Sequence, residues 1–142
     1  MATINAYLNF NGNCEEAFNF YKSIFGGEFL YLGRFKDMPP MDDFKVPESD
    51  LEKIMHVALP ISNETLLLGS DMPEAHASSF VPGNNISLSI DAESKEEAER
   101  LYNDLSEGGE ITMALDHTFW GSYFGSLVDR FGIAWMISFQ DQ

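Results

Sequence analysis

The 142-residue chain carries eight lysines and arginines against 23 aspartates and glutamates, a net charge of −15. That balance repels phosphate backbones and anionic headgroups, so it argues against nucleic acid and membrane surfaces as partners. Apolar residues make up 44 % of the sequence, enough for a packed core, and the one cysteine, Cys14, excludes an internal disulfide. The opening MATINAYLNF has no basic segment ahead of an apolar one, and no apolar run reaches the roughly 18–20 residues of a membrane span. A cytoplasmic protein is expected.

Residues 4–10 alternate, with Ala6, Leu8 and Phe10 on one face and Asn5, Tyr7 and Asn9 on the other, as in a strand with one buried side. Asn11-Gly12-Asn13 is a turn, and Asn13 with Glu16 has the spacing of a capping box. The following helix runs to about Phe25 with Ala17, Phe20, Tyr21 and Ile24 as its apolar stripe, and Gly26-Gly27 stops it. Residues 28–35 read as a strand. Residues 36–53, with three prolines and many charges, read as a long loop of the kind that serves as a lid or binding loop. Residues 54–61 form a strand that turns Met55, Val57, Leu59 and Ile61 one way and His56 and Ala58 the other, and 64–71 is its hairpin partner. Residues 72–83 look like a connecting segment. A strand at 85–90 sets Ile86, Leu88 and Ile90 against Asn85, Ser87 and Ser89. Ser94 and Glu97 repeat the capping box, Ala98, Leu101, Tyr102 and Leu105 form a second stripe, and Gly108-Gly109 stops the second helix. Three strands follow at 110–116, 123–128 and 133–139, with Gly132 in a tight turn and Trp135 on the core side.

The second half therefore repeats the first. EEAFNFYKSIFGGE at 15–28 returns as EEAERLYNDLSEGGE at 96–110, with an offset of about 80 in the first strands, 81 in the helices and 82 at the glycine pair. Strand, cap, stripe and stop recurring in order point to internal duplication of a β-α-β-β-β unit. The expected fold class is α+β: one domain over 1–142, with module one at 1–72, a linker at 73–83 and module two at 84–142. Each module is a mixed or antiparallel half-barrel sheet with its helix outside. The helix takes one face of each sheet. The other faces carry Asn5, Tyr7, Asn9 and His56 in one module and Asn85, Ser87 and Ser89 in the other, and such polar, mostly small side chains suit a cup for a small molecule.

The segments YLNFNGNCEEAFNFYKSIFGGE (7–28), IMHVALPI (54–61), LLGSDMP (67–73) and FWGSYFGSLVDRFGIAWMISF (119–139) resemble the PhnB-like branch of the vicinal-oxygen-chelate superfamily, which includes glyoxalase I, extradiol dioxygenases and bleomycin-resistance proteins. The resemblance implies paired βαβββ modules around a ligand or metal, in a homodimer. Metal-dependent members place His, Glu or Gln at four matched positions, which fall here at Asn5, Asn85, near Gly69, and at Met136. Sliding the register to Ala6, Leu68 or Ser70 recovers no ligand. Amides, glycine and a thioether replace imidazole and carboxylate poorly around a divalent ion, so no metal is expected. The demethylubiquinone methyltransferase label attached to this branch has no support in a Gly-rich strand-to-helix turn, and no cofactor is expected.

The remaining candidates follow from position. His56 is a base or ligand on the open face, or a hydrogen-bonded structural residue. Asp71 at the edge of the cup is a carboxylate for a ligand or for His56, or a turn cap. Trp120 offers a flat wall to a planar ligand, or anchors its loop. Tyr7 and Met136 line the cup. His117 suits a surface turn, Arg34 an ordinary salt bridge, and Cys14 has no assigned base beside it. The expected function is small-molecule binding, by sequestration or carriage, without the usual metal. An enzyme of lyase, isomerase or dioxygenase type using a non-standard site around His56, with or without a divalent metal, is the alternative, and a structural dimer with a filled cup is the third reading.

Overall fold

A computed structural model describes residues 2–39 and 41–140. Met1, Pro40, Asp141 and Gln142 belong to the sequence ranges 1–142 and 36–53 named above and lie outside the described residues. The elements are β1 (Ala6–Phe10), α1 (Cys14–Phe25), β2 (Tyr31–Arg34), β3 (Ile54–Pro60), β4 (Leu66–Asp71), β5 (Leu88–Asp91), α2 (Lys95–Ser106), β6 (Glu110–His117), β7 (Ser122–Val128) and β8 (Ala134–Gln140). Short 3-10 turns lie in the long loop at Glu48–Asp50 and in the connecting segment at Glu74–Ser79. Two compact units divide between Val81 and Pro82.

In the first unit the sheet order is β1-β4-β3-β2, with β1 parallel to β4 and the other neighbours antiparallel. In the second it is β5-β8-β7-β6, again with one parallel pair, β5 with β8. Each unit is thus an open, mixed four-stranded sheet with one helix, an α+β βαβββ module. The parallel pair is a direct result of the connection: the chain leaves the first strand, runs through the helix and a hairpin, and returns beside its start.

The helices pack as their stripes dictate. In α2, Ala98, Leu101, Tyr102 and Leu105 are all buried. In α1 the buried residues are Cys14, Ala17, Phe18, Tyr21 and Ile24, whereas Phe20 is only half-buried. The sequence stripe named Phe20 and passed over Phe18. Phe18 completes an i, i+3, i+4, i+7 face from Cys14 and crosses Phe10 and Tyr21 edge-on at 6.1 and 5.5 Å. The helix sits so close to the sheet that a Cβ on Gly69 would lie 2.5 Å from the Phe18 ring.

The two caps differ. Ser94 accepts from the Glu97 amide at 3.0 Å, and the Glu97 carboxylate accepts from the Glu93 amide at 2.9 Å. Asn13 makes no side-chain cap bond. The first amide of α1, that of Cys14, instead donates to Asp71 at 2.9 Å. The expected capping box at Asn13 is therefore replaced by a carboxylate from a distant strand end.

The pairings take the same form in the two units: Leu67 lies opposite Leu59 and Ala6, and Trp135 lies opposite Leu127 and Leu88. β5 begins at Leu88, so Asn85, Ile86 and Ser87, expected within the strand, precede it, exposed.

The units differ most between their second and third strands. In the second unit only residues 118–121 join β6 to β7. In the first, residues 35–53 intervene, closed at the base by Phe35 donating to the Lys53 carbonyl and Lys36 to the Leu51 carbonyl. Asp50, 2 % exposed, pins this insert by accepting from Lys53 Nζ at 2.9 Å and from the Glu74 amide. Burial opposes the charge on Asp50, but those donors prevail and hold its carboxyl below the usual range.

Candidate functional site

Residues directly opposed across a sheet point to the same side, so the pairings define what each open face presents. In the first unit one row runs Tyr7, Leu68, Ala58, Tyr31, and beside it Asn9 faces Ser70 while Gly33 faces His56. Tyr7 and Tyr31 are each nearly half exposed and stand 5.7 and 5.9 Å, ring to ring, from His56. The Tyr7 hydroxyl and His56 Nδ1 are 3.3 Å apart. Sequence reading found Tyr7, Asn9 and His56 and missed Tyr31. The signal was its place two residues before Gly33, over which its ring lies.

The other candidates of this unit serve the scaffold. Asn5 Oδ1 accepts from the Leu66 amide at 2.9 Å and so extends the β1–β4 ladder. Asp71 is 3 % exposed, and its carboxylate accepts from the amides of Gly12, Cys14 and Ile54 at 3.0, 2.9 and 2.9 Å. It alternates with the buried Leu67 and Gly69 on the helix side, whereas His56 occupies the opposite face, so the structure does not bring Asp71 and His56 together. Gly69, one of the carried-over metal positions, likewise faces α1. Arg34 forms the salt bridge expected of it, a two-pronged contact with Glu15 at 3.0 and 2.6 Å that lowers the Glu15 pKa.

Cys14 is fully buried in the first turn of α1. Burial first, then the charges of Asp71 and Glu15, push its thiol far above the ordinary value of 9.0. A thiol reagent such as 5,5′-dithiobis(2-nitrobenzoate) is expected to leave folded protein unmodified at pH 8 and to react within seconds in 8 M urea. Rapid reaction of the native state would contradict the packing described.

In the second unit one row runs Asp91, Ser138, Phe124, Asp116, and the next Ser89, Met136, Ser126, Met113. Above them lies a hollow of about 690 Å³ lined by Asp91, Trp120, Ser122, Phe124, Met136 and Ser138, among others. Trp120 is 56 % exposed, with Phe119 and Phe124 edge-on to it at 5.0 and 6.1 Å. The Ser138 hydroxyl donates to Asp91 Oδ1 at 3.1 Å. Trp120 and Met136, far apart in sequence, thus share one hollow. Asn85 and Ser87 are not among its lining residues. Trp135 is core, with Nε1 donating to the buried Asp129 at 2.8 Å. His117 is exposed at the strand end, its ring 4.8 Å from Tyr123.

Among the described residues no three His, Cys, Asp or Glu side chains gather as a group able to hold a metal ion, and no helix is long and apolar enough to cross a membrane.

Comparison with known proteins matches this geometry to a family. The profile of the family described as 3-demethylubiquinone-9 3-methyltransferase matches residues 2–138. Protein YjdN of Escherichia coli K12 is 32 % identical over 141 residues, covering 95 % of this chain and 93 % of its own. Among solved structures, protein PA1353 from Pseudomonas aeruginosa is 38 % identical over all of both chains, with a TM-score of 0.81. The PhnB protein from Bacillus cereus is 27 % identical, covering 97 % of this chain and 99 % of its own, with a TM-score of 0.74. A glyoxalase/bleomycin resistance protein/dioxygenase family enzyme from Burkholderia phytofirmans, 17 % identical over 95 % of this chain and 97 % of its own, shares the fold at a TM-score of 0.61. The chain belongs to the PhnB-like family described as 3-demethylubiquinone-9 3-methyltransferase.

Proposed function

We propose that the protein binds a small organic molecule on the open face of its sheet, without a metal or cofactor, and acts by sequestration or carriage as a cytoplasmic homodimer. The observation that carries this reading is the hollow of the second unit, where an exposed tryptophan and Phe124 stand over Met136 and Ser138. Large aromatic side chains left in water beside a few hydrogen-bonding groups are the usual lining of a ligand site, and the volume lies within the range of pockets that take small molecules. The residues at the family's metal positions support the metal-free reading. Asn5 is engaged with the backbone, Gly69 faces the helix, Asn85 precedes its strand, and Met136 offers a thioether. Exposed apolar residues on the edge strand β6, Ile111 and Met113, support a partner chain.

Methyl transfer is not proposed despite the family's description. The β1–α1 turn has one glycine, Gly12, in place of a Gly-rich phosphate-binding turn, and the amides of Gly12 and Cys14 are already taken by Asp71. The alternative is an enzyme in which His56, hydrogen-bonded to Tyr7, moves a proton; the contact between Tyr7 and Nδ1 is the feature that favours it.

A thermal-shift screen of metal-stripped protein tests the reading. A ligand at 100 times its Kd adds about 2.7 kcal/mol of apparent stability, and Trp120→Ala is expected to abolish that gain. Light scattering is expected to give twice the chain mass at micromolar concentration. Stoichiometric metal in purified protein that is lost in His56→Ala would overturn the metal-free reading in favour of the enzyme.

A further inference from the structure

We propose that the hollow of the second unit selects a cationic ligand, a protonated amine carried on a flat apolar or aromatic body. The inference rests on reading that face as the ligand site. It begins from the cross-strand row Asp91, Ser138, Phe124, Asp116. Two carboxylates end the row, an aromatic ring and a hydroxyl lie between them, and the row crosses four strands, about 14 Å at the usual strand spacing; Asp91 lines the hollow itself, while Asp116, which accepts from the His117 amide, stands on the same face beyond its lining. An ammonium beside Asp91 would meet a carboxylate that already accepts from Ser138, while its body lies over Phe124 and Met136 toward Trp120.

Three features set the sign of the ligand. No lysine or arginine lines the hollow. The ring faces of Trp120 and Phe124 carry negative quadrupole charge that attracts cations. The matched face of the first unit, by contrast, presents Asn9, Ser70, His56 and Gly33 in one row and Tyr7, Leu68, Ala58 and Tyr31 in the other, with no carboxylate among them. The acidity is therefore a property of this face of the second unit and not a uniform consequence of a chain with 23 acidic residues.

The test uses three probes of one shape and three charges: 1-naphthylmethylammonium, 1-naphthylmethanol and 1-naphthylacetate. Each is titrated calorimetrically at low salt into wild type, Asp91→Asn/Asp116→Asn and Trp120→Ala. Asparagine keeps the oxygen that accepts from Ser138, and both aspartates are exposed, so the double variant is expected to melt with wild type. The expected result is that the ammonium binds at least tenfold more tightly than the alcohol, with the carboxylate weakest. The preference should fall to within about twofold in the double variant, and Trp120→Ala should weaken all three probes. The alcohol binding as tightly as the ammonium, or a preference that survives both asparagines, overturns the proposed charge selection and leaves the ligand site standing. Failure of every probe at millimolar concentration, or binding indifferent to Trp120→Ala, overturns the site and the selection together.

Discussion

Asp71→Ala is expected to lower the unfolding free energy by about 3–5 kcal/mol, the largest loss from any single polar substitution in the first unit. Three backbone amides converge on this carboxylate: Gly12 in the β1–α1 turn, Cys14 in the first turn of the helix, and Ile54 at the start of β3. Two of those hydrogen bonds are buried and the third is part-buried, so the amides have little water to replace the lost acceptor. Hydrogen bonds to an ionised acceptor are also stronger than neutral ones. Asp71→Asn keeps one acceptor oxygen and turns an NH₂ toward a donor, so about 2 kcal/mol is expected for it. Urea melts read both: the midpoint should fall in the order wild type, Asn, Ala with the slope unchanged. The competing reading, Asp71 as a partner of His56, expects Asp71→Asn to fold like wild type and to lose only activity. Near-native midpoints for both variants would refute the clamp.

What the sequence disclosed, and what it hid, follows from the range of the forces involved. The α2 stripe of Ala98, Leu101, Tyr102 and Leu105 is local, set by helical spacing, and it was legible in full. The duplication was legible because each unit repeats the same local signals in the same order. The strand register was not, since a slip of two residues preserves every face assignment and only the pairing partners fix it. The roles of Asp71 and Asn13 were hidden for a related reason. A helix start has orphan amides that any nearby acceptor can satisfy, and sequence proximity favoured Asn13 over a carboxylate brought in by the β4 strand end. The candidate site was half legible. Tyr7, His56, Trp120 and Met136 do sit on open faces, but that Asp91, Ser138 and Phe124 stand in one row with Asp116 depends on three strand pairings that no local pattern encodes.

The glycine pair that ends both helices shows how one sequence phrase can answer to two different constraints. In the first unit Gly26 and Gly27 have φ of 79° and 80°, and a Cβ on either would meet nothing within 4 Å. Their requirement is conformational. Gly27→Ala should therefore cost only the strain of a left-handed alanine, about 1 kcal/mol. Of the pair in the second unit, Gly108 carries the positive φ and Gly109 does not. A Cβ on Gly109 would run into the Val128 carbonyl oxygen and lie 2.9 Å from two backbone carbons of Asp129. That backbone has little freedom to retreat. The Asp129 carboxylate accepts from the amides of Phe131 and Ile133 at 2.8 and 3.1 Å and from Trp135 Nε1 at 2.8 Å, which fixes the β7–β8 turn against the core. Gly109→Ala is accordingly expected to cost about 3 kcal/mol, since the strain falls on main chain and cannot be relieved by a rotamer change. Urea denaturation of the two alanine variants side by side should show Gly109→Ala losing two to three times as much as Gly27→Ala. Equal losses would mean that the second unit, like the first, asks only for a left-handed stop, and that the close approach of the Val128–Asp129 backbone carries no energetic weight.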